Sequence, residues 1–209
     1  MTFLDDDDNL LAMRYPVEQK AETHERIIDA AARSFREHGA EGQGLARLMK
    51  DIGLTHGGFY RHFESREDLL VDAIARGFQE TADGMLAAAA KAPQGGQLRA
   101  IIEHYLSLEH LENPGSGCVL STLASEIARQ RPVVRARINA AMKSYRERLL
   151  PFFPGNDDAE RRRRFIVLFP SMAGVLMTAR AMTDPVARKE TLSAARRFFI
   201  SAFAEQNVN

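Results

Sequence analysis

One cysteine, Cys118, is all the sequence offers for sulfur cross-linking. It excludes an internal disulfide framework and fits a reducing compartment. An excess of either charge is also missing, because 28 Lys and Arg offset 28 Asp and Glu. A chain so balanced is not coated in positive potential, so any polyanion it meets must be held at a local patch. The Walker phosphate loop, G-x-G-x-x-G, the G-x-S-x-G elbow and H-E-x-x-H are all absent. No Glu is followed by His three residues on, which removes the paired motif of di-iron bundles. We therefore expect no enzyme, no metal and no cofactor. No basic region followed by an apolar run opens the chain, so a cytoplasmic location is expected. Period-two alternation is missing over any useful length, which predicts essentially no β-structure.

What is present reads as helix. The 209 residues, 45% hydrophobic, suffice for one core or for a small domain joined to a larger one. Residues 1–19 read as a disordered tail around the Asp5–Asp8 charge run, with Met13 as an alternative start. Thr23 is the expected N-cap of a first helix whose inner face is Ile27, Ala31 and Phe35, and Gly39 ends it. Leu45, Leu48, Met49 and Ile52 mark a second, shorter helix. Gly53 then supplies a turn with φ > 0, and Thr55 caps a third helix running from His56 to about Phe63. Phe59 and Phe63 face inward, while His56, Tyr60, Arg61 and His62 are left outside. Ser65 and Asp68 have capping-box spacing at the start of a long fourth helix. Helix, glycine turn and short donor-rich helix are the parts of a helix-turn-helix, so binding to duplex DNA is the expectation.

Further on, the expected helices are 66 to about 90, 97–111, 119–130, 133–150, a segment around 165–179 and a last helix bearing Phe198, Phe199 and Phe203. Residues 165–179 are apolar nearly all round, but too short and broken for a membrane span of about 20 residues. We expect them, with the last helix, to form a homodimer through a shared four-helix bundle. Arg161–Arg164 read as a solvated helix start balanced by Asp157, Asp158 and Glu160. The expected fold is thus all-α: a three-helix head over residues 20–65 on a larger bundle over 66–209, about nine helices in total.

The run Gly53-Leu54-Thr55-His56-Gly57-Gly58-Phe59-Tyr60-Arg61-His62-Phe63, with Ser65-Arg66-Glu67 behind it, resembles the TetR family of bacterial transcriptional regulators. The segment from Ile27 to Gly39 matches that family's first helix as well. The resemblance covers about residues 20–72. It implies that Thr55, Tyr60 and His62 bond phosphates, with Arg66 near the backbone. His56 and Gly58 would lie on the major-groove floor, Arg47 at its edge and Lys20 against a flanking phosphate. It implies further a palindromic operator bound by a dimer, and release by a small effector held in the larger domain. The lining expected there is apolar, from Phe78, Met85, Tyr105, Met142, Tyr145 and Met177, with His104 and Glu126 as polar anchors. An apolar or aromatic effector would suit it, and repression is the mode carried by the resemblance. Cys118 has two readings, a small buried residue or a thiol at a helix start able to sense oxidants. The competing class is a helical small-molecule binder with no DNA function.

Two departures from the family pattern bear on specificity. Gly58 stands where many members carry a larger residue, and a glycine reads no base edge. Each of Gly57 and Gly58 also costs a short helix about 1 kcal/mol. Ala46 occupies a position where some relatives place a charged base contact. Phosphate and shape recognition are therefore expected to carry a larger share.

Overall fold

The computed structural model describes residues 7–42 and 44–205. Ten α-helices and no strand are found among them, two of the helices no longer than five residues. The expected tail lies partly outside the described residues. Helix α1 spans Asp7–His38, so it starts well before Thr23. Thr23 sits in mid-helix and caps nothing there, a correction to the expected start. The other local signals behave as read. Gly39 and Gly53 have φ of 81° and 76°, the left-handed region that glycine enters without a Cβ clash.

Helices α2 (Leu45–Asp51) and α3 (His56–Phe59) complete the head. Ile27, Ala31 and Phe35 of α1 close against Leu48, Met49, Phe59 and Phe63, all buried. Phe59 and Phe63 stack with centroids 5.3 Å apart, and His24 stacks on Phe63 at 4.5 Å. Arg26 donates to the Ile52 carbonyl at 3.1 Å, tying α1 to the turn before α3.

Helix α4 (Arg66–Ala90) is the spine of the molecule, packing on α1, on α5 (Gln97–Tyr105) and on α8 (Pro132–Leu149). The single helix expected over 97–111 breaks at Leu106. Ser107 accepts the His110 N–H and so caps a separate α6 (Leu108–Glu112). A 3₁₀ turn (Pro114–Ser116), α7 (Leu120–Arg129), α9 (Asp158–Ala181) and α10 (Pro185–Phe199) follow, with a π-helical turn at Ile200–Ala204. The core runs unbroken from the head into this body.

The join between α1 and the body is polar and close. Arg36, buried, is ion-paired with Glu80 of α4, and its Nε donates to the Gly115 carbonyl at 2.8 Å. Gly77 makes the approach possible, since a Cβ there would stand 2.5 Å from Val119 and 2.6 Å from the Arg36 guanidinium. Ala40 N–H donates to Glu126 at 2.7 Å, and Arg76 pairs with Glu25 and Asp29.

Helix α9 packs one side on its own domain and leaves the other exposed. It is the one helix among the described residues long and apolar enough to cross a membrane by composition. Phe165, Leu168, Phe169, Met172 and Leu176 pack inward, but the opposite side is open. Ile166, Val167, Pro170, Ser171, Met177 and Thr178 recur at three- and four-residue steps on that exposed stripe.

Candidate nucleic-acid interface and ligand cavity

Thr55 begins α3 with extended backbone, and its Oγ1 accepts the Gly58 N–H at 3.2 Å. The α-helix itself is one turn, ending at Phe59 rather than Phe63. Turn-type bonds from Arg61 to the Gly58 carbonyl and from His62 to the Phe59 carbonyl carry the chain on. Phe59 anchors the inner side. Thr55, His56, Tyr60 and Arg61 face outward, Tyr60 at 64% exposure and in edge contact with the His56 ring.

The remaining head residues sort by environment. Arg47 and Lys20 are exposed. His62 is half-buried, and burial first, then His24, Lys20 and Arg61, lower its pKa. Its imidazole is therefore neutral near pH 7, and its Nδ1 is buried without a partner. As a phosphate ligand it would act as a neutral donor. Arg66 is exposed at the start of α4, where its guanidinium donates to the Ala40 carbonyl, so part of its donor fork is taken. Ser65 caps Asp68 N–H at 3.1 Å, which fixes the path from head to spine.

In the body, the eight residues expected to line a ligand site, with Cys118 as a ninth candidate, are not all brought to one of the cavities described. Phe78 and Tyr145 are buried with ring centroids 5.3 Å apart, and Tyr145 meets Phe169 at 5.6 Å. These aromatics make a closed core. Met142 is half-buried beside it. Met177 lies on the exposed stripe of α9, and Glu126 is engaged by the Ala40 amide. Only Met85, His104 and Tyr105 border the space of about 180 Å³ between α4, α5 and α6. Its other walls are Glu80, Thr81, Gly84, Ser107, Glu109, His110 and Ser116, none of them marked by sequence spacing.

Cys118 is fully buried, and burial pushes its thiol up. A thiolate sensor needs exposure and the opposite shift, so the surroundings fit a small core residue. Next to it the neutral His110 ring bridges two segments. Nδ1 lies 2.6 Å from the Tyr105 carbonyl, and Nε2 accepts the Cys118 N–H at 2.8 Å. That pair of bonds assigns the proton to Nδ1, and burial lowers the pKa to about 4. Arg180, from α9, donates to the Leu111 and His110 carbonyls and to Ser121 at 3.1, 2.7 and 2.8 Å. Its long reach across the sequence hid it from spacing arguments.

The hydroxyl of Tyr145 is buried without a hydrogen-bond partner, whereas that of Tyr105 has the Cys118 thiol beside it. An orphaned buried hydroxyl forfeits about 1–3 kcal/mol of hydration. Tyr145→Phe should therefore raise the free energy of unfolding by about 1 kcal/mol in urea titrations. A loss of stability instead would mean that the hydroxyl has a partner.

Residues 27–73 match the family described as "Bacterial regulatory proteins, tetR family". The transcriptional repressor AcnR of Corynebacterium diphtheriae is 38% identical over 52 residues, 25% of this chain and 27% of that protein. The chain thus matches about a quarter of that relative's length. In fold the likeness extends much further. A TetR transcriptional regulator from Chloroflexus aurantiacus superposes with a TM-score of 0.69 at 23% identity, over 88% of this chain and 96% of its own. One from Cytophaga hutchinsonii gives 0.70 at 17%, over 90% and 98%. Residues 27–73 thus match the helix-turn-helix head of the tetR family of bacterial regulatory proteins, and nearly the whole chain shares the fold of solved TetR regulators.

Proposed function

We propose that the protein is a dimeric, ligand-controlled regulator of transcription, a repressor, in which residues 20–65 read DNA and residues 66–209 dimerise and bind the effector. The observation that carries the DNA reading is the outward row of Thr55, His56, Tyr60 and Arg61 on a helix anchored by buried Phe59. Thr55, Tyr60, His62 and Lys20 suit phosphate oxygens, while His56 and the Gly57-Gly58 backbone approach base edges. Arg47 and Arg66 flank this surface.

Dimerisation is supported by the exposed apolar stripe of α9 together with Phe198 of α10, 66% exposed. A second copy covering that stripe would form a two-fold bundle and place two heads on half-sites about 34–36 Å apart. Repression follows the named role of the corynebacterial relative, whose match is confined to the head. An effector acts by binding one arrangement of the heads better than the other.

Mobility shift with sheared genomic DNA tests the reading. Sequence-selective retention that falls steeply with salt is expected. Tyr60→Ala should weaken binding about tenfold on all retained sequences, because a phosphate contact carries no base information, with the melting temperature unchanged. Equal retention by Tyr60→Ala and the parent chain would overturn this assignment. A chain that retards no DNA would leave a helical ligand-binding protein.

A further inference from the structure

The cavity between α4, α5 and α6 is more polar and more acidic than an apolar effector requires. Its charged walls are Glu80 and Glu109, with no Lys or Arg among the residues that border it. Burial lowers the pKa of both lining imidazoles, His104 and His110, so neither adds positive charge at neutral pH. Arg36 neutralises part of Glu80 from the α1 side, and the Lys91 charge acts on His104 less than the Glu109 charge does. The Glu109 carboxylate makes no ion pair among the described residues. Met85 and Tyr105 supply an apolar floor. A space of about 180 Å³ equals about six waters at ~30 Å³ each, room for a ligand of fewer than about ten heavy atoms.

We propose that this cavity binds a small organic cation, a primary ammonium on a short apolar chain, with its charge between Glu80 and Glu109 and its chain on Met85 and Tyr105. This rests on the reading of the body as a ligand-binding unit and names the ligand class. A charge-assisted bond from an ammonium to a carboxylate stabilises more than a neutral hydrogen bond does, so the charge decides the selectivity. An anion meets the unpaired Glu109 carboxylate and is repelled.

The site also touches the join to the head. Glu80 holds Arg36, Arg36 holds the Gly115 carbonyl, and Ser116, next in the chain, is itself part of the cavity wall. A cation arriving at Glu80 competes with Arg36 for the same carboxylate. Occupancy therefore loosens the contact by which α1, the first helix of the head, is held to α4 and to the 3₁₀ turn.

Calorimetric titration of the full chain with n-hexylammonium chloride, 1-hexanol and sodium hexanoate tests the assignment. The ammonium should bind saturably at millimolar concentration, with the alcohol and the carboxylate about tenfold weaker or worse. Glu109→Gln should weaken the ammonium about fivefold while leaving the thermal melt unchanged. The proposal is overturned if the alcohol or the carboxylate binds as well as the ammonium, if the ammonium shows no saturable heat, or if Glu109→Gln leaves its affinity unchanged. The same preparation is assayed for DNA retardation. Protein that retards DNA but takes no ammonium overturns this inference alone. Protein that takes the ammonium and retards no DNA overturns the regulatory reading and leaves the site standing.

Discussion

Glu80→Ala is expected to lower the free energy of unfolding by about 3 kcal/mol, and Arg36→Met by only about 1 kcal/mol. The asymmetry comes from where each charge is left. The Arg36 side chain is 2% exposed, the Glu80 side chain 39%. Removing Glu80 strands a guanidinium in the α1–α4 join with one nitrogen, Nη1, already unpartnered and only the Gly115 carbonyl left to accept from Nε. Removing Arg36 leaves a carboxylate that water reaches, and the methionine stem fills the space against Gly77 and Val119. The double variant should then resemble Arg36→Met, because its second change removes a charge that is no longer needed. Urea unfolding followed by far-ultraviolet dichroism, at one fixed protein concentration, provides all four values. An Arg36→Met loss larger than that of Glu80→Ala would show that Arg36 acts through packing rather than through its charge.

That join marks the line between what the sequence made legible and what it did not. Gly53, Thr55, Ser65 and Gly39 each act on backbone within a few residues, so their turn and cap roles follow from spacing alone. The burial of Phe59 and Phe63 follows from helical period in the same way. Arg36, Glu80 and Gly115 belong to three separated elements, and no local pattern announces their meeting. Thr23 is a good N-cap residue, but α1 already runs through it from Asp7, past even Pro16, so no helix end is there for it to cap. Ser107 sits in an apolar run that reads as one helix, until its hydroxyl takes the His110 amide and splits α5 from α6. The cavity between α4, α5 and α6 was hidden for a related reason. Large apolar side chains such as Phe78 and Tyr145 satisfy one another, whereas a cavity persists where polar walls such as Glu80, Glu109 and His110 face across it. For α9, an apolar circumference predicts burial on every side, and the exposed stripe shows the part that a single chain leaves uncovered.

Gly57→Leu should abolish most DNA affinity while leaving the protein at least as stable as before, a dissociation that few recognition-helix substitutions give. A Cβ at Gly57 would meet nothing within 4 Å, and one at Gly58 would meet only the Thr55 hydroxyl at 3.4 Å. Neither glycine has a positive φ. The fold thus has no need of glycine at either position, although each lowers the stability of so short a helix by about 1 kcal/mol. Thr55, His56 and Tyr60 are exposed around Gly57 and would face the same partner. If that partner is DNA approaching the α3 backbone closely, any side chain at Gly57 holds it off. Gly57→Ala should then weaken binding about tenfold and Gly57→Leu about a hundredfold, near 2.7 kcal/mol, with thermal melts unchanged or raised. The loss should be shared by all retained sequences, since what is blocked is approach rather than a base contact. Parent-like affinity for Gly57→Leu in mobility-shift titrations would place the DNA on another face of the head. Loss confined to some sequences would instead make Gly57 part of the base readout, through neighbours it displaces.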